Sequence, residues 1–233
     1  MTIRALIFDV DGTLSETEEA HRQAFNDAFA EFGLDWNWSV DLYRKLLRTT
    51  GGKERMAAYL QDYLGGTLDA VEITRVHARK TERYGELVSS GMVDLRPGIK
   101  SLIADSARSG CRLAVATTTN TPNVDHLCKA CFGAPASEVF EVIAAGDMVA
   151  NKKPAPDVFN LALHTLGLAA RDCVALEDSR NGLASAKAAG LRCIVSPSTY
   201  TDEDDFGIAT AVVSSFEDIS TLARTKALLG DTH

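Results

Sequence analysis

The sequence predicts an α/β fold: a Rossmann-like parallel sheet core with an all-helical cap domain inserted after the first strand. Three observations carry this expectation. Six short apolar runs recur along the chain, most with sequence of helical period beside them. Glycines that suit helix stops fall between those helical stretches and the next run. A stretch of about 80 residues after the first run carries no convincing strand pattern. Strand and helix in alternation argue for a parallel sheet covered on both faces.

The first run is Ile3–Phe8. Between residues 15 and 95 four segments suit helices: Glu16–Phe32, Val40–Leu47, Lys53–Leu64 and Leu68–Ser90. Arg96-Pro97-Gly98 then opens a helical pattern through Ser109, and Gly110 ends it ahead of the run Leu113–Ala116. Val142–Ala145 is the third run, and Pro154 to Leu166 reads as a helix stopped by Gly167. Cys173–Leu176 precedes a helix from Asn181 to Ala189, stopped by Gly190. Cys193–Val195 and Ala211–Val213 complete the set, and the tail after Lys226 is expected to fray. The expected organisation is a core of residues 1–14 and 96–233 with a cap of residues 15–95.

Composition narrows the function classes. The 233 residues are 45% hydrophobic and 24% charged, the mix of a globular protein rather than a disordered or collagen-like one. Lys plus Arg is 24 and Asp plus Glu is 32, a formal charge of −8. An acidic surface repels nucleic acid and anionic lipid, so neither is expected as a main partner. No apolar run reaches about 18 residues, and the N-terminus lacks a signal-peptide layout. Five cysteines without such a signal suit reduced thiols in a cytosol-like compartment.

Chemistry gathers at the ends of the apolar runs. Side chains two apart on extended chain point the same way, so Asp9 and Asp11 aim together above the sheet's carboxyl edge. Gly12 permits a sharp turn there. The pair suits a divalent cation or a raised carboxyl pKa, and it equally suits a plain strand-end turn. Two further strand ends add to it, Thr117-Thr118-Thr119-Asn120 and Glu177-Asp178-Ser179, as does Asn151-Lys152-Lys153-Pro154 just ahead of a helix. In an open α/β sheet these stretches face one crevice.

Asp9-x-Asp11-Gly12-Thr13, Thr117, Lys153-Pro154 and Glu177-Asp178 resemble the four ordered motifs of the haloacid dehalogenase-like phosphotransferases. The resemblance implies that Asp9 is a nucleophile forming an aspartyl phosphate and Asp11 a general acid and base, kept neutral by neighbouring anions. It implies Mg²⁺ on Asp9, Asp178 and the backbone carbonyl of Asp11, with Glu177 nearby. Thr117 and Lys153 would grip the phosphoryl oxygens.

Arg48-Thr49-Thr50-Gly51-Gly52-Lys53-Glu54-Arg55 joins two cap helices. A Gly-Gly turn at a helix start, with Arg48, Lys53 and Arg55, suits a second, non-reacting phosphate; a solvated basic turn fits the same letters. This loop, the segment Thr13–His21, Trp36–Trp38 and Thr117–Val124 resemble the CbbY branch of the family. That branch is implied to hydrolyse xylulose 1,5-bisphosphate, an inhibitor of Rubisco, to xylulose 5-phosphate. The expected partner is therefore a small-molecule sugar phosphate, handled by a monomer in a bacterial cytoplasm or, in a mature plastid form, the chloroplast stroma. Glu18, His21, Tyr43, Arg48, Thr50, Gly51, Gly52, Lys53, Arg55, Thr118 and Asn120 are the candidate substrate contacts. The alternative is a β-phosphoglucomutase-like sugar-phosphate mutase built on the same site. Cys128 and Cys131 read as core and surface thiols, Trp36 and Trp38 as plugs of the cap, and Asp202–Asp205 as a solvated loop.

Overall fold

The computed structural model describes residues 3–66 and 69–230. The predicted helix start at Leu68 and the last tail residues, 231–233, lie outside the described residues. In chain order the elements are β1 (Ala5–Phe8), α1 (Glu18–Glu31), α2 (Val40–Leu46), α3 (Gly52–Tyr59), a π-helical turn (Leu60–Leu64) and α4 (Ala70–Ser89). They continue with α5 (Ile99–Arg108), β2 (Arg112–Ala116), α6 (Thr121–Phe132), α7 (Ala136–Val139), β3 (Val142–Ala144) and α8 (Asp157–Leu166). The last are β4 (Cys173–Glu177), α9 (Arg180–Ala188), β5 (Arg192–Val195), β6 (Ala211–Val212) and α10 (Leu222–Leu228).

All strand pairs are parallel, in the order β3-β2-β1-β4-β5-β6. The fold is thus the parallel α/β sheet the sequence predicts. Alternate residues of each strand feed two cores. Ala5, Ile7, Ala114, Ala116, Ala175 and Val195 face α8 and α9 through Val158, Phe159, Ala162, Leu183 and Ala186. Leu6, Phe8, Val115, Leu176 and Ile194 face α5, α6 and α10. The chain leaves β1 to pair with β2 on one side and β4 on the other, so the order reverses at β1 and a crevice opens outside its carboxyl end.

The four helices between β1 and β2 that precede α5 have two kinds of packing. Near the sheet, Ala20 and Ala24 of α1 and Tyr84, Leu87 and Val88 of α4 belong to the same apolar cluster as Leu6 and Phe8. Farther out, Phe25, Phe29, Trp38, Tyr43, Met56, Tyr59 and Val76 build a separate core. Trp38 lies within 4.7–5.9 Å, centroid to centroid, of Phe25, Phe29, Tyr43 and Tyr59. Trp38 is fully buried and Trp36 packs at the edge of this core, as plugs should. Among the described residues no helix is long and apolar enough to cross a membrane.

Several boundaries differ from the sequence reading, each for a local reason. The helix expected from Glu16 starts at Glu18, because Thr17 spends its hydroxyl on Asp11 Oδ1 at 2.6 Å rather than on a cap. The helix expected from Pro154 starts at Asp157, since the residue before Pro156 is kept out of helical geometry by the proline ring. The tail expected to fray after Lys226 remains helical to Leu228, anchored by Leu222 under the sheet and by the Leu222 N–H donating to Asp105 at 2.8 Å. The acidic run Asp202–Asp205 is exposed as expected, with Asp202 also pairing with Arg44 at the surface. Cys128 is buried within the core and its thiol is pushed up to about 12 by burial and by Asp125, so it is inert.

Truncating Trp38 to Ala removes the central ring of the outer helical core. Denaturant unfolding of Trp38→Ala is expected to show a loss of about 3–5 kcal/mol, the range for a buried aromatic cut to a methyl.

Candidate active site

Asp9 follows β1 directly and stays in register, its N–H donating to Leu176 O at 3.0 Å. Glu177 ends β4, Asp178 follows it, and Thr117 follows β2, so all four leave adjacent strands at the carboxyl edge. Lys153 enters from the loop before α8. Its Nζ donates to Asp9 Oδ1 at 2.7 Å, Glu177 Oε1 at 2.6 Å and Ala116 O at 2.8 Å. Those three acceptors use all three ammonium protons. Lys153 therefore ties Asp9 to Glu177, and gripping a phosphoryl oxygen requires it to exchange one acceptor.

Burial sets the electrostatics. Asp9, Lys153, Glu177 and Asp178 are all buried. Desolvation pushes the Asp9 carboxyl up to about 8; Lys153 opposes this, while Glu177 and Asp11 add to it. Burial likewise raises Asp178 well above the usual range, with Asp9 and Glu177 contributing, and raises Glu177 against the pull of Lys153. Lys153 is disfavoured by burial, yet its two carboxylate partners hold its pKa above the ordinary value. Ionised together, three carboxylates around one ammonium would leave uncompensated negative charge. The ligand atoms of Asp9, Glu177 and Asp178 lie within 4.8 Å of one another. An all-oxygen donor set of this charge fits a small hard divalent cation.

Asp11 behaves differently from the expectation. Anionic neighbours were expected to keep it neutral, but its carboxyl sits at about 2. Burial favours the neutral form, and His21, Thr17 and Lys80 outweigh it. Thr17 Oγ1 donates to Asp11 Oδ1 at 2.6 Å, and His21 Nε2 lies 3.0 Å from the same oxygen. On the other side of the ring, Lys80 Nζ is 2.6 Å from His21 Nδ1. With the ammonium donating to Nδ1, the ring proton sits on Nε2 and points at Asp11. Tyr84 stacks on the imidazole at 4.0 Å and holds its plane. Burial lowers Lys80 to about 7, with Asp11 pulling the other way.

A cleft of about 1610 Å³ runs from this edge to the helical insertion. Asp9, Asp11, Lys153, Asp178, Thr118 and Asn120 line its floor. Glu18, His21, Arg48, Thr50, Gly51, Gly52, Lys53 and Arg55 line it from the helical insertion. The structure thus gathers these predicted residues around one space. Thr117 and Glu177 lie beneath that surface, Thr117 Oγ1 accepting from the Thr119 N–H at 3.1 Å. Tyr43, expected to touch substrate, does not reach the cleft: it is fully buried in the outer core. Its hydroxyl donates to Glu18 Oε2 at 2.8 Å and accepts from Arg55 Nη1 at 3.0 Å, so it orients two residues that do line the wall.

Thr17, Lys80, His77 and Thr201 also belong to the site and escaped the sequence reading. Thr201 Oγ1 donates to Asp178 O at 2.8 Å. His77 lines the cleft and is lowered to about 3 by burial and by the charges of Lys80, Lys53 and Lys152. One signal was available for Lys80: it interrupts the apolar stripe Val76, Lys80, Tyr84, Leu87 of an amphipathic helix.

Fold and site together define a carboxylate-and-lysine hydrolase of the α/β class, with its chemistry at the switch point of the sheet. The chain belongs to the haloacid dehalogenase-like hydrolase family, whose family model matches residues 3–190. It is 56% identical over 221 residues to protein CbbY of Cereibacter sphaeroides, covering 95% of this chain and 96% of that protein. It is 59% identical over 209 residues to protein CbbY of Rhodobacter capsulatus, covering 90% and 92%. A crystal structure of an Asp-to-Asn variant of CbbY from Rhodobacter sphaeroides in complex with xylulose 1,5-bisphosphate superposes with a TM-score of 0.92 at 55% identity, covering 96% of this chain and 99% of that one.

Two outcomes follow from this geometry. Gly12 has φ +84°, and a Cβ there would lie 2.1 Å from Asp178 Oδ2. Gly12→Ala is therefore expected to displace Asp178 and weaken divalent-cation binding at least about tenfold, read by calorimetry. The raised carboxyl of Asp9 means that between pH 4 and 7 the folded, metal-free protein holds a proton that the unfolded chain has released. In chelator, stability should accordingly fall as pH rises through that window, and Asp9→Asn should flatten the slope in denaturant melts.

Proposed function

We propose that the protein is a Mg²⁺-dependent phosphatase that converts xylulose 1,5-bisphosphate to xylulose 5-phosphate and inorganic phosphate. The observation that carries this reading is the Lys153 bridge between Asp9 and Glu177, beside Asp178, at the floor of a cleft whose far wall is cationic. The bisphosphate is the ligand of the Rhodobacter sphaeroides CbbY variant that this chain resembles. Residues 15–95 act as a cap over a core of residues 1–14 and 96–233.

An Asp9 oxygen attacks the phosphorus on carbon 1, and the bond from phosphorus to the sugar oxygen breaks. Asp11 gives a proton to that oxygen. Water then attacks the aspartyl phosphate, its proton goes back to Asp11, and phosphate leaves Asp9. The ionised Asp11 of this structure suits the second half. The first half needs it protonated, and an arriving phosphate dianion raises its pKa in that direction.

Asp9, Asp178 and the Asp11 carbonyl would hold Mg²⁺, with Glu177 close behind. Bound there, it supplies positive charge against the phosphoryl oxygens. That charge matters: a carboxylate meeting a phosphate dianion at about 4 Å faces ~8 kcal/mol of repulsion at an effective dielectric of 20. Lys153 and Thr117 supply further donors to the transferring group. The second phosphate is held on the opposite wall by Arg48, Lys53 and the Gly51-Gly52 amides at the start of α3.

A phosphate-release assay across sugar mono- and bisphosphates, with Mg²⁺ and with chelator, tests the reading. Release from xylulose 1,5-bisphosphate should exceed that from hexose monophosphates, stop in chelator and disappear in Asp9→Asn. Conversion of a hexose 1-phosphate without net phosphate release would instead identify mutase chemistry. Neutralising Arg48 and Lys53 together should raise KM for bisphosphates at least about tenfold and for monophosphates less than about twofold.

A further inference from the structure

Glu54 is a carboxylate on the cationic wall of the cleft that the proposed reaction does not use. Glu54 is the third residue of α3, and its Oε1 accepts from Lys152 Nζ at 2.6 Å. Lys152 stands next to Lys153, so the pair spans the cleft from the helical insertion to the lysine loop. Thr50 Oγ1 donates to Lys153 O beside it. Gly51 makes room for the pair: its φ is +93°, and a Cβ there would lie 2.2 Å from Glu54 Oε2 and 2.6 Å from Lys152 Nζ.

The Glu54 carboxyl is held below its ordinary range. Burial acts against the charge, and the bond from Lys152, its own backbone N–H and the charges of Lys152 and Lys53 outweigh burial. A carboxylate with these partners sits in an anion position: a first-turn amide of α3, one ammonium in contact and a second nearby. The same groups line the cleft. Arg48 and Lys53 make no ion pair with a carboxylate among the described residues, so Glu54 engages only part of the wall's charge.

We propose that Glu54 is a specificity-determining residue whose carboxylate competes with the substrate's second phosphate for Lys152 and the first-turn amides of α3. The inference rests on the bisphosphate reading above and deepens it. The Glu54 side chain is 49% exposed and that of Lys152 24%, and half-exposed pairs are weak. A phosphate dianion carries about twice the charge and three acceptor oxygens, so it takes the position. A sugar that ends in a hydroxyl offers no such exchange, and the pair stays closed against it. The carboxylate thus lowers affinity for the bisphosphate, which has to displace it, and leaves binding of a hydroxyl-ended sugar unchanged.

The test compares wild type, Glu54→Gln and Glu54→Asp in phosphate release from xylulose 1,5-bisphosphate and from a sugar 1-phosphate. Glu54→Gln is expected to lower KM for the bisphosphate about fivefold and to raise the bisphosphate-to-monophosphate ratio of kcat/KM by a similar factor. Glu54→Asp, which keeps the charge, should return the ratio to the wild-type value. Calorimetric titration of Asp9→Asn and Asp9→Asn/Glu54→Gln with the same bisphosphate reads the difference without turnover, and the double variant should bind about fivefold tighter. An unchanged or lowered ratio, or equal or weaker binding in the double variant, would overturn the competition and leave the pair a mechanical tie. Wild-type protein that releases no phosphate from any bisphosphate would overturn the proposed function itself, and this inference with it.

Discussion

A buried ammonium among carboxylates is the constraint on which the site depends. Lys153 brings one ammonium into a region where Asp9, Glu177 and Asp178 bring three carboxyl groups, and all are screened from water. Removing one member of such a cluster costs about 3–5 kcal/mol, because the remaining charges are left without compensation. Burial first, and then the mutual repulsion of the carboxylates, works against ionising them together and raises the carboxyls of Asp9 and Asp178. That repulsion is what a divalent cation relieves. Structure and reactivity share a single electrostatic cause here.

The helical insertion does more than cover the cleft. Thr17, His21 and Lys80 all come from it, and together they hold the one site aspartate that is fully ionised. Because α1 and α4 share an apolar core with β1 at one end, the Asp11 grip is anchored to the sheet rather than hung from a mobile lid. The outer core around Trp38 carries Tyr43, which fixes Glu18 and Arg55 on the cationic wall. A second tie runs through the loop after β5. Tyr200 donates to Glu19 at 2.7 Å while its neighbour Thr201 holds the Asp178 carbonyl. Substrate-facing groups on the two sides of the cleft are thereby linked through packed side chains.

Much of this was legible in the letters. The six strands were visible as apolar runs, because a parallel sheet buried on both faces leaves no polar alternation to confuse them. Asp9, Thr117 and Asp178 were legible because strand ends in such a sheet must converge on one edge, and Lys153 because it stands just ahead of a helix that packs on that sheet. Tyr43, a contact expected from the family resemblance, was misread for a physical reason: its ring is fully buried in the outer core, and its hydroxyl is taken up by Glu18 and Arg55. Asp11 was misread because its neighbours in sequence are acidic, whereas its neighbours in space are a hydroxyl, an imidazole and an ammonium.

The chain order of residues determined the sheet, its topological switch and the set of acids and lysine that meet there, since strand period and turn chemistry are local and need no distant partner. Tertiary structure alone decided charge and orientation. Lys80 lies 59 residues from His21, and Glu54 lies 98 residues from Lys152. Protonation depends on burial and on the nearest opposite charge, and both are set by packing between segments that the sequence keeps far apart.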